Sequence, residues 1–310
     1  MTTFNIFKTK LVRVGPLDIL PLRLEGLSRL KYEVPPAITS LNFRELKNEG
    51  GPRIESIEVS NPTDIPFIIP EGWIVGADLL QVRTFNRATH INAHATIIAS
   101  VSCVEKGRFS AGVNVVDGGR SPLSVSSAGW NFNLSRGFWE INQEERQSKI
   151  WRQITIQESK NGSRPTHSLE QVMREDSLTL NVPRTIQMVS ESTSKIMKGQ
   201  NGVLIAFEGE PLLLEMFSDT AALKKTIKQT LRSVSFDVDH LGHTALLESR
   251  IREFIEEANI GKLQHLADDD WAILLSGGSS SINTQASMDV EGRFLHISAV
   301  NRKHRILLEV

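Results

Sequence analysis

Short apolar runs separated by turn-forming residues fill the first 110 residues of the chain. Residues 17–22 and 54–59 are typical, and Gly15-Pro16 and Asn61-Pro62 flank them. Apolar runs this short, bounded by glycine, proline and asparagine, indicate β-strands. Strands at such close spacing predict an antiparallel sandwich or an open barrel. One interruption is expected, since residues 37–48 also fit a helix that ends at Gly50-Gly51.

The pattern changes after a Gly/Ser-rich connection over residues 111–137. Residues 140–158 place Ile150, Trp151 and Ile154 on one helical face, and Ser168 with Gln171 fits a capping box. Further helices are predicted over residues 183–197, 218–235 and 244–258, with strands over 203–207, 212–214, 272–275, 286–290 and 294–299. The predicted class is therefore α+β: an antiparallel β-rich N-terminal layer (1–110), then helices and a mixed β/α C-terminal segment (138–310). We expect a single domain over residues 1–310, folded as one compact unit.

Composition excludes several classes of protein. Lys+Arg 35 against Asp+Glu 36 gives a net charge of −1, which argues against a nucleic-acid binder and against anchoring to an acidic membrane surface. The longest apolar runs, such as 203–207, are far shorter than the roughly 20 residues that span a bilayer. No signal-peptide pattern opens the chain, and a single cysteine fits a reducing compartment. We expect a cytoplasmic protein without nucleic-acid or membrane partners, and homo-oligomerisation stays open.

Polar side chains that are hard to interchange concentrate in residues 71–110. Strand alternation puts Gln81 and Arg83 on one face. Two guanidinium groups among amides suit a phosphate or pyrophosphate, because guanidinium binds such groups in bidentate fashion. The predicted ligand-binding residues are Gln81, Arg83, Asn86, Glu105 and Arg108. An equally weighted alternative is structural: an internal Glu105–Arg83 or Glu71–Arg108 ion pair that holds the sheets in register.

Catalytic candidates are Glu71 and Glu105 as acid or base, and Cys103 as nucleophile. A thiol attacks only where a cation or a helix N-terminus lowers its pKa. Cys103 lies in the near-continuous apolar run 95–104, so we expect an interior strand with a shielded thiol that serves packing.

A second polar cluster lies near the end of the predicted helix 218–235. Two carboxylates and two imidazoles within seven residues could coordinate a divalent metal, but such residues also cap helices and the spacing has many false positives. The residues are Asp237, Asp239, His240 and His243. We expect no metal. The cofactor stays open: the chain has no Walker A, G-x-G-x-x-G or G-x-S-x-G motif, so a nucleotide site would not be one of these standard cradles.

A set of motifs resembles one bacterial family. The set comprises Asn61, Pro66, Glu71-Gly72, Gln81-Val82-Arg83, Asn86, Val101-Ser102-Cys103-Val104-Glu105-Lys106-Gly107-Arg108-Phe109, Trp151, Gly209, Phe217 and Gly292-Arg293-x-x-His296-x-Ser298. Together they resemble the first of the two ARG and Rhodanese-Phosphatase-superfamily-associated Protein domains, in which ARG means ADP-ribosylglycohydrolase. Phe109 departs from the family's tryptophan, and residues 76–81 depart from its usual pattern. The resemblance covers nearly the whole chain and implies a contextual link to NAD and ADP-ribose metabolism.

Three functional hypotheses follow. The first is a binding or accessory protein linked to NAD/ADP-ribose metabolism, whose predicted site contacts a phosphorylated, nucleotide-like small molecule. The second is an enzyme that acts on an ADP-ribose-type ligand, with Glu71 or Glu105 as acid or base. The third is a scaffold or interaction protein in which the polar cluster is only structural.

Overall fold

Antiparallel strands form most of the molecule, and helices cover them. The structure is a computed structural model, and it describes residues 7–8, 11–25, 27–48, 51–76, 81–106, 118–160, 167–176, 200–238, 244–258, 263–268 and 271–308. The described strands are β1 (Phe7–Lys8), β2 (Val12–Val14), β3 (Leu17–Arg23), β4 (Asn42–Asn48), β5 (Gly51–Ser60), β6 (Phe67–Ile69), β7 (Ile74–Val75), β8 (Arg83–Phe85), β9 (Thr89–Ile91), β10 (Thr96–Cys103), β11 (Trp130–Asn133), β12 (Phe138–Ile141), β13 (Gly202–Phe207), β14 (Glu210–Phe217), β15 (Gln264–Asp268), β16 (Ala272–Gly278), β17 (Ile282–Asp289) and β18 (Phe294–Asn301). The described helices are α1 (Leu123–Ser127), α2 (Gln143–Lys160), α3 (Leu169–Asp176), α4 (Thr220–Ser235), α5 (Glu248–Glu257) and α6 (Arg305–Leu308).

The largest sheet joins strands from both ends of the chain. Its order is β1-β3-β13-β14-β18-β17-β16-β15, with β2 paired to β3, which makes nine strands among the described residues. β13 pairs antiparallel with β3 on one side and with β14 on the other. The N-terminal strands therefore complete a sheet that the C-terminal third provides, instead of remaining in a separate layer.

The two faces of this sheet carry different helices. Alternation sends Ile205 and Leu213 to one face and Leu204 and Leu214 to the other. The first pair belongs to the apolar cluster that includes Leu223, Ile227 and Leu231 of α4. The second pair clusters with Ile251 and Phe254 of α5. Each helix is amphipathic and buries one stripe against the sheet.

A second sheet has the order β4-β5-β10-β8-β7. Its apolar cluster includes Val59 of β5, Phe85 of β8 and Val101 of β10. The turn that follows β6 brings Glu71-Gly72 to the end of β8, where the Gly72 N–H donates to the Phe85 carbonyl at 2.9 Å. α2 contacts β10 of the second sheet, β12 of the hairpin β11–β12 contacts β16 of the large sheet, and α1 packs on α2. These elements build the site described below.

The predicted α+β class, antiparallel pairing and single compact unit are confirmed. The predicted hairpin β13–β14 is also confirmed. The predicted α4 face is confirmed as well, because Leu223, Ile227 and Leu231 are all buried. The cap of α4 was misplaced by one residue: Asp219, not Ser218, accepts the N–H of Ala221 at 2.9 Å. The helix predicted over residues 140–158 begins instead at Gln143, because residues 138–141 form β12.

The helix predicted over residues 37–48 is wrong. Only Ala37–Ser40 forms a short 3₁₀ helix, and Asn42–Asn48 is the edge strand β4, which pairs with β5. Phe43 of β4 is buried in the second sheet's core. Pairing with β5 therefore overrides a local helical preference. The helix predicted over residues 183–197 lies outside the described residues.

Candidate functional site

One face of the large sheet turns from apolar to polar toward β17 and β18. Ser276, Gln285, Ser298 and Glu215 lie opposite one another on four neighbouring strands. All four are buried. Buried polar groups require hydrogen-bond partners, so the layer that covers this part of the sheet has to be polar as well.

Glu71 supplies the centre of that layer. Its Oε1 accepts the indole N–H of Trp130 at 2.7 Å, and its Oε2 accepts the amide of Gln285 at 2.7 Å. The Nη2 of Arg302 lies 3.1 Å from each of the two oxygens. Next to it, Gly72 has a φ of +82°, and a Cβ there would come within 2.9 Å of the Ser126 Cβ. The Glu71-Gly72 turn thus holds a carboxylate between the two layers, with α1 packed directly against it.

A second carboxylate, Glu215, lies beside the first. Arg120 Nη1 donates to Glu215 Oε2 at 2.7 Å, and Arg120 Nε donates to the main-chain oxygen of Glu71 at 3.0 Å. His296 Nε2 lies 2.6 Å from the other Glu215 oxygen. Burial opposes ionisation of Glu215, but Arg120 and His296 outweigh it and lower its pKa to about 2. The carboxylate is therefore ionised across the physiological pH range.

Arg146 of α2 is fully buried, and its guanidinium donates hydrogen bonds to uncharged oxygen atoms. Its Nε donates to Asn86 Oδ1 at 2.7 Å, and its Nη1 and Nη2 donate to the main-chain oxygens of Ala128 and Ser126. Burial lowers its pKa to about 10, which leaves it protonated at neutral pH. α2 approaches closely because residue 129 is glycine, since a Cβ there would lie 2.7 Å from the Arg146 Cα.

The buried network around the two layers carries charges of both signs. Three guanidinium groups (Arg120, Arg146 and Arg302) lie near two carboxylates (Glu71 and Glu215). A third buried carboxylate, Asp237, accepts the N–H of Ser124 at 2.9 Å. Buried charges of this kind persist only when they are paired or hydrogen-bonded.

A cleft of about 290 Å³ opens beside the network at Arg302. We call it the Arg302 cleft. Its lining comprises Ser124, Ser127, Ala128, Gly129, Trp130, Trp139, Lys149, Arg152, Gln153, Arg302, Leu307 and Leu308. α1, α2, the hairpin β11–β12 and α6 thus each contribute one wall.

Arg302 links the network to the cleft. Its side chain is only 4% exposed, and its guanidinium carbon lies 5.4 Å from the centre of the Trp130 ring. Nη2 donates to Glu71, but Nε and Nη1 have no hydrogen-bond acceptor among the described residues. Burial lowers the pKa of Arg302, and the nearby Glu71 opposes that shift. Two unpaired donors on a buried cation are unusual.

A second cavity, of about 450 Å³, lies between residues 28–34 and the start of α4. Lys225 at its edge forms an ion pair with Glu33, and the Tyr32 hydroxyl donates to the Leu295 carbonyl at 2.9 Å. Burial raises the pKa of Tyr32 to about 12. These polar groups already have protein partners, so this larger cavity is the weaker candidate.

The structure brings together three of the predicted ligand-binding residues. Arg83 Nη1 donates to Gln81 Oε1 at 2.7 Å, and Glu105 Oε2 accepts the N–H of Val82 at 3.0 Å. Arg83 has no exposed surface and forms its ion pair with Glu45 of β4, at 3.1 Å. None of these side chains lines either cavity described above. The geometry corresponds to the structural alternative, with Glu45 as the partner, and a ligand-binding role for these residues stays a prediction.

The other predicted residues separate. Asn86 lies with Arg146 and accepts the hydroxyl of Ser102 at 2.7 Å. Glu71 pairs with Arg302, and Arg108, its predicted partner, lies outside the described residues. Cys103 is fully buried, burial raises the pKa of its thiol, and the Sγ–H donates to the Glu105 carbonyl at 2.8 Å. The prediction of a shielded cysteine on an interior strand is confirmed.

For the predicted metal cluster, only Asp237 is described. It accepts the N–H of Ser124 at 2.9 Å and the amide of Gln157 at 3.0 Å. Asp239, His240 and His243 lie outside the described residues. Within the part of the chain that the structure describes, no three His, Cys, Asp or Glu side chains lie close enough to hold a metal ion. Of the helices in that part, none is long and apolar enough to cross a membrane.

Sequence reasoning missed Arg302, Arg120, Arg146, Trp130 and Trp139. Arg302 stands in the run Asn301-Arg302-Lys303-His304-Arg305, which has the composition of a solvated turn. For Arg146 a signal was available, because it precedes Ile150 and Ile154 by four and eight residues and so shares their buried face. An arginine in register with an apolar stripe is a sign of a buried cation.

These features define an α+β protein with a buried ionic layer and a cationic cleft beside it. The sequence profile of the ARG and Rhodanese-Phosphatase-superfamily-associated Protein domain, ARPP-1, matches residues 8–300. The chain belongs to this family, as the motifs indicated. Comparison with curated proteins and with solved structures gave no match. The family is associated with ADP-ribosylglycohydrolase and rhodanese-phosphatase domains, an association that leaves the activity of this chain open.

Proposed function

We propose that this protein binds a phosphorylated small molecule in the Arg302 cleft, as a binding or accessory protein linked to ADP-ribose metabolism. The observation that carries the proposal is Arg302, a buried guanidinium that borders a cleft with Nε and Nη1 unpaired. Glu71 occupies Nη2, so Nε and Nη1 each remain as a single charge-assisted donor for an acceptor such as a phosphate oxygen. The family association supports the metabolic context, and the single cysteine supports a cytoplasmic setting.

The charge around the cleft favours the same class of ligand. Lys149 and Arg152 lie three residues apart on the exposed side of α2, and both residues line the cleft. Lys149 forms an ion pair with Glu145 at 2.8 Å. A phosphate monoester carries between one and two negative charges near neutral pH, which complements the positive charges of Arg152 and Arg302.

Glu71 fits a positioning role better than acid or base catalysis. A carboxylate offers about four acceptor sites, and Trp130, Gln285 and the two contacts from Arg302 Nη2 fill them. Glu105 is buried and outside the cleft lining, where its carboxylate accepts the N–H of Val82 and the hydroxyl of Ser168. Glu71 therefore fixes the two side chains, Trp130 and Arg302, that a ligand would meet.

Thermal unfolding in the presence of inorganic phosphate, AMP and ADP-ribose tests the proposal. A ligand at 100 times its dissociation constant stabilises a protein by about 2.7 kcal/mol. We expect a shift for wild type that is lost in Arg302→Lys, which keeps a charge beside Glu71 but lacks the Nε and Nη1 donors of the guanidinium. Arg152→Gln should weaken the shift without altering the fold, since Arg152 is exposed. Arg250→Gln, an equally exposed change on α5 and outside the cleft lining, is the matched control.

The proposal fails if no phosphorylated probe shifts wild type, and the scaffold hypothesis then stands. It also fails if Arg302→Lys and wild type shift equally, because binding would then lie elsewhere.

A further inference from the structure

We infer that the ligand of the Arg302 cleft is a sugar phosphate: a polyhydroxylated phosphomonoester without a nucleobase. This inference rests on the phosphorylated-ligand proposal above and narrows it. Three properties of the cleft carry it, namely its size, the covered faces of its indoles and its neutral hydrogen-bonding groups.

The cleft is small for a dinucleotide. Sites for drug-sized ligands measure about 300–1,000 Å³, and about 290 Å³ lies at the lower limit of that range. A phosphorylated monosaccharide suits this volume. A ligand with two ribose rings, a pyrophosphate and a base would leave much of its surface in solvent.

The indoles that border the cleft offer no open face to a base. Trp139 is 4% exposed, its N–H donates to the carbonyls of Ser279 and Ile282, and Phe132 packs against it edge-on with ring centres 5.6 Å apart. Trp130 is 6% exposed, and Arg302 covers its ring. Recognition of a base by stacking needs an accessible aromatic face, and neither tryptophan presents one.

The remaining polar lining suits hydroxyl groups. Ser127 Oγ is buried without a hydrogen-bond partner among the described residues, and Ser124 and Gln153 border the same cleft. Hydroxyl and amide groups both donate and accept, which matches the two-way hydrogen bonding of sugar hydroxyls. With Arg302 facing the phosphate, the neutral groups of α1 and α2 are left to bind the sugar.

Isothermal titration calorimetry of the full chain tests the inference with five probes: ribose 5-phosphate, inorganic phosphate, ribose, AMP and ADP-ribose. We expect ribose 5-phosphate to bind about tenfold or more tightly than inorganic phosphate, since one or two added hydrogen bonds give a factor of this order. AMP and ADP-ribose should bind more weakly than ribose 5-phosphate, and ribose alone should give no heat.

Ser127→Ala locates the sugar contact. It should weaken ribose 5-phosphate binding several-fold and leave inorganic phosphate unaffected, because it removes a neutral donor and acceptor only. Ser148→Ala is the matched control, since Ser148 is exposed on α2 and bonds its own helix at the Glu145 carbonyl. Both variants should bind inorganic phosphate as wild type does, which shows that they are folded.

The outcomes separate the two proposals. If AMP or ADP-ribose binds more tightly than ribose 5-phosphate, the sugar-phosphate inference is wrong while phosphate binding stands. Equal affinity for inorganic phosphate and ribose 5-phosphate also overturns the inference. If no phosphorylated probe binds, the proposed function itself is wrong.

Discussion

Replacing Asp237 with asparagine is expected to stabilise this protein at neutral pH. Asp237 follows α4 and is buried, with its carboxylate between the Ser124 N–H and the Gln157 amide. The Gln157 Oε1 is buried without a donor. An asparagine keeps the acceptor for Ser124, and its Nδ2 can donate to Gln157 Oε1 once the Gln157 amide rotates. The substitution therefore removes a buried charge and satisfies an unpaired oxygen.

The magnitude follows from the pKa of Asp237, which burial raises from 3.8 to about 6. Two pKa units at about 1.4 kcal/mol each correspond to about 3 kcal/mol. Because the folded pKa lies above the unfolded value, the folded state binds more protons between about pH 4 and pH 6, and wild-type stability falls as the pH rises through that window. The variant does not titrate at this position, so its advantage should grow from near zero at about pH 4 to about 3 kcal/mol above pH 6.

Urea denaturation of both proteins between about pH 4 and pH 8 measures this difference. Asp64→Asn is the matched control, because Asp64 is 94% exposed, and it should show a change within about 0.5 kcal/mol. A stability difference that does not vary with pH, or an Asp237→Asn protein that is less stable than wild type at neutral pH, refutes the assignment of a buried carboxylate with a raised pKa.

Three further predictions concern the core. Arg83→Ala should destabilise the protein by about 3–5 kcal/mol without any ligand, since it removes a buried cation that pairs with Glu45 and donates to Gln81; an Arg83→Ala protein that matches the exposed control Arg44→Ala in urea would contradict this. Ile227→Ala should cost about 2–5 kcal/mol, because Ile227 packs in the α4 cluster, and a loss below about 0.5 kcal/mol would show that this face is not buried. Native Cys103 should react with a bulky thiol reagent only as fast as the protein opens, so immediate labelling would rule out its interior position.

Local patterns predicted most of the fold. Turn residues at 208–210 located the hairpin β13–β14, and the i, i+4 spacing of Leu223, Ile227 and Leu231 located α4. The helical prediction for residues 42–48 was wrong because of tertiary contacts. This segment is a strand that pairs with β5 and buries Phe43. Local patterns also could not predict that β3 pairs with β13, because the two strands are about 180 residues apart in the chain.

The candidate site was harder to predict, because its contacts are long-range. The motif residue Glu71 was identified, but its partners Gln285 and Arg302 lie 214 and 231 residues further along the chain. The structural alternative paired Arg83 with Glu105 of its own motif, whereas Arg83 pairs with Glu45, 38 residues earlier. The sequence identified Glu71 and Arg83 as unusual charged residues but missed Arg302, and topology determines which opposite charge each of them meets.

A crystal structure of the protein with ribose 5-phosphate tests the central claim most directly. We predict a phosphate oxygen within about 3 Å of Arg302 Nε or Nη1, the usual length of a charge-assisted hydrogen bond, with Glu71 still bound to Nη2. Phosphate bound away from Arg302, or a saturated crystal in which Nε and Nη1 still lack an acceptor, would contradict the account.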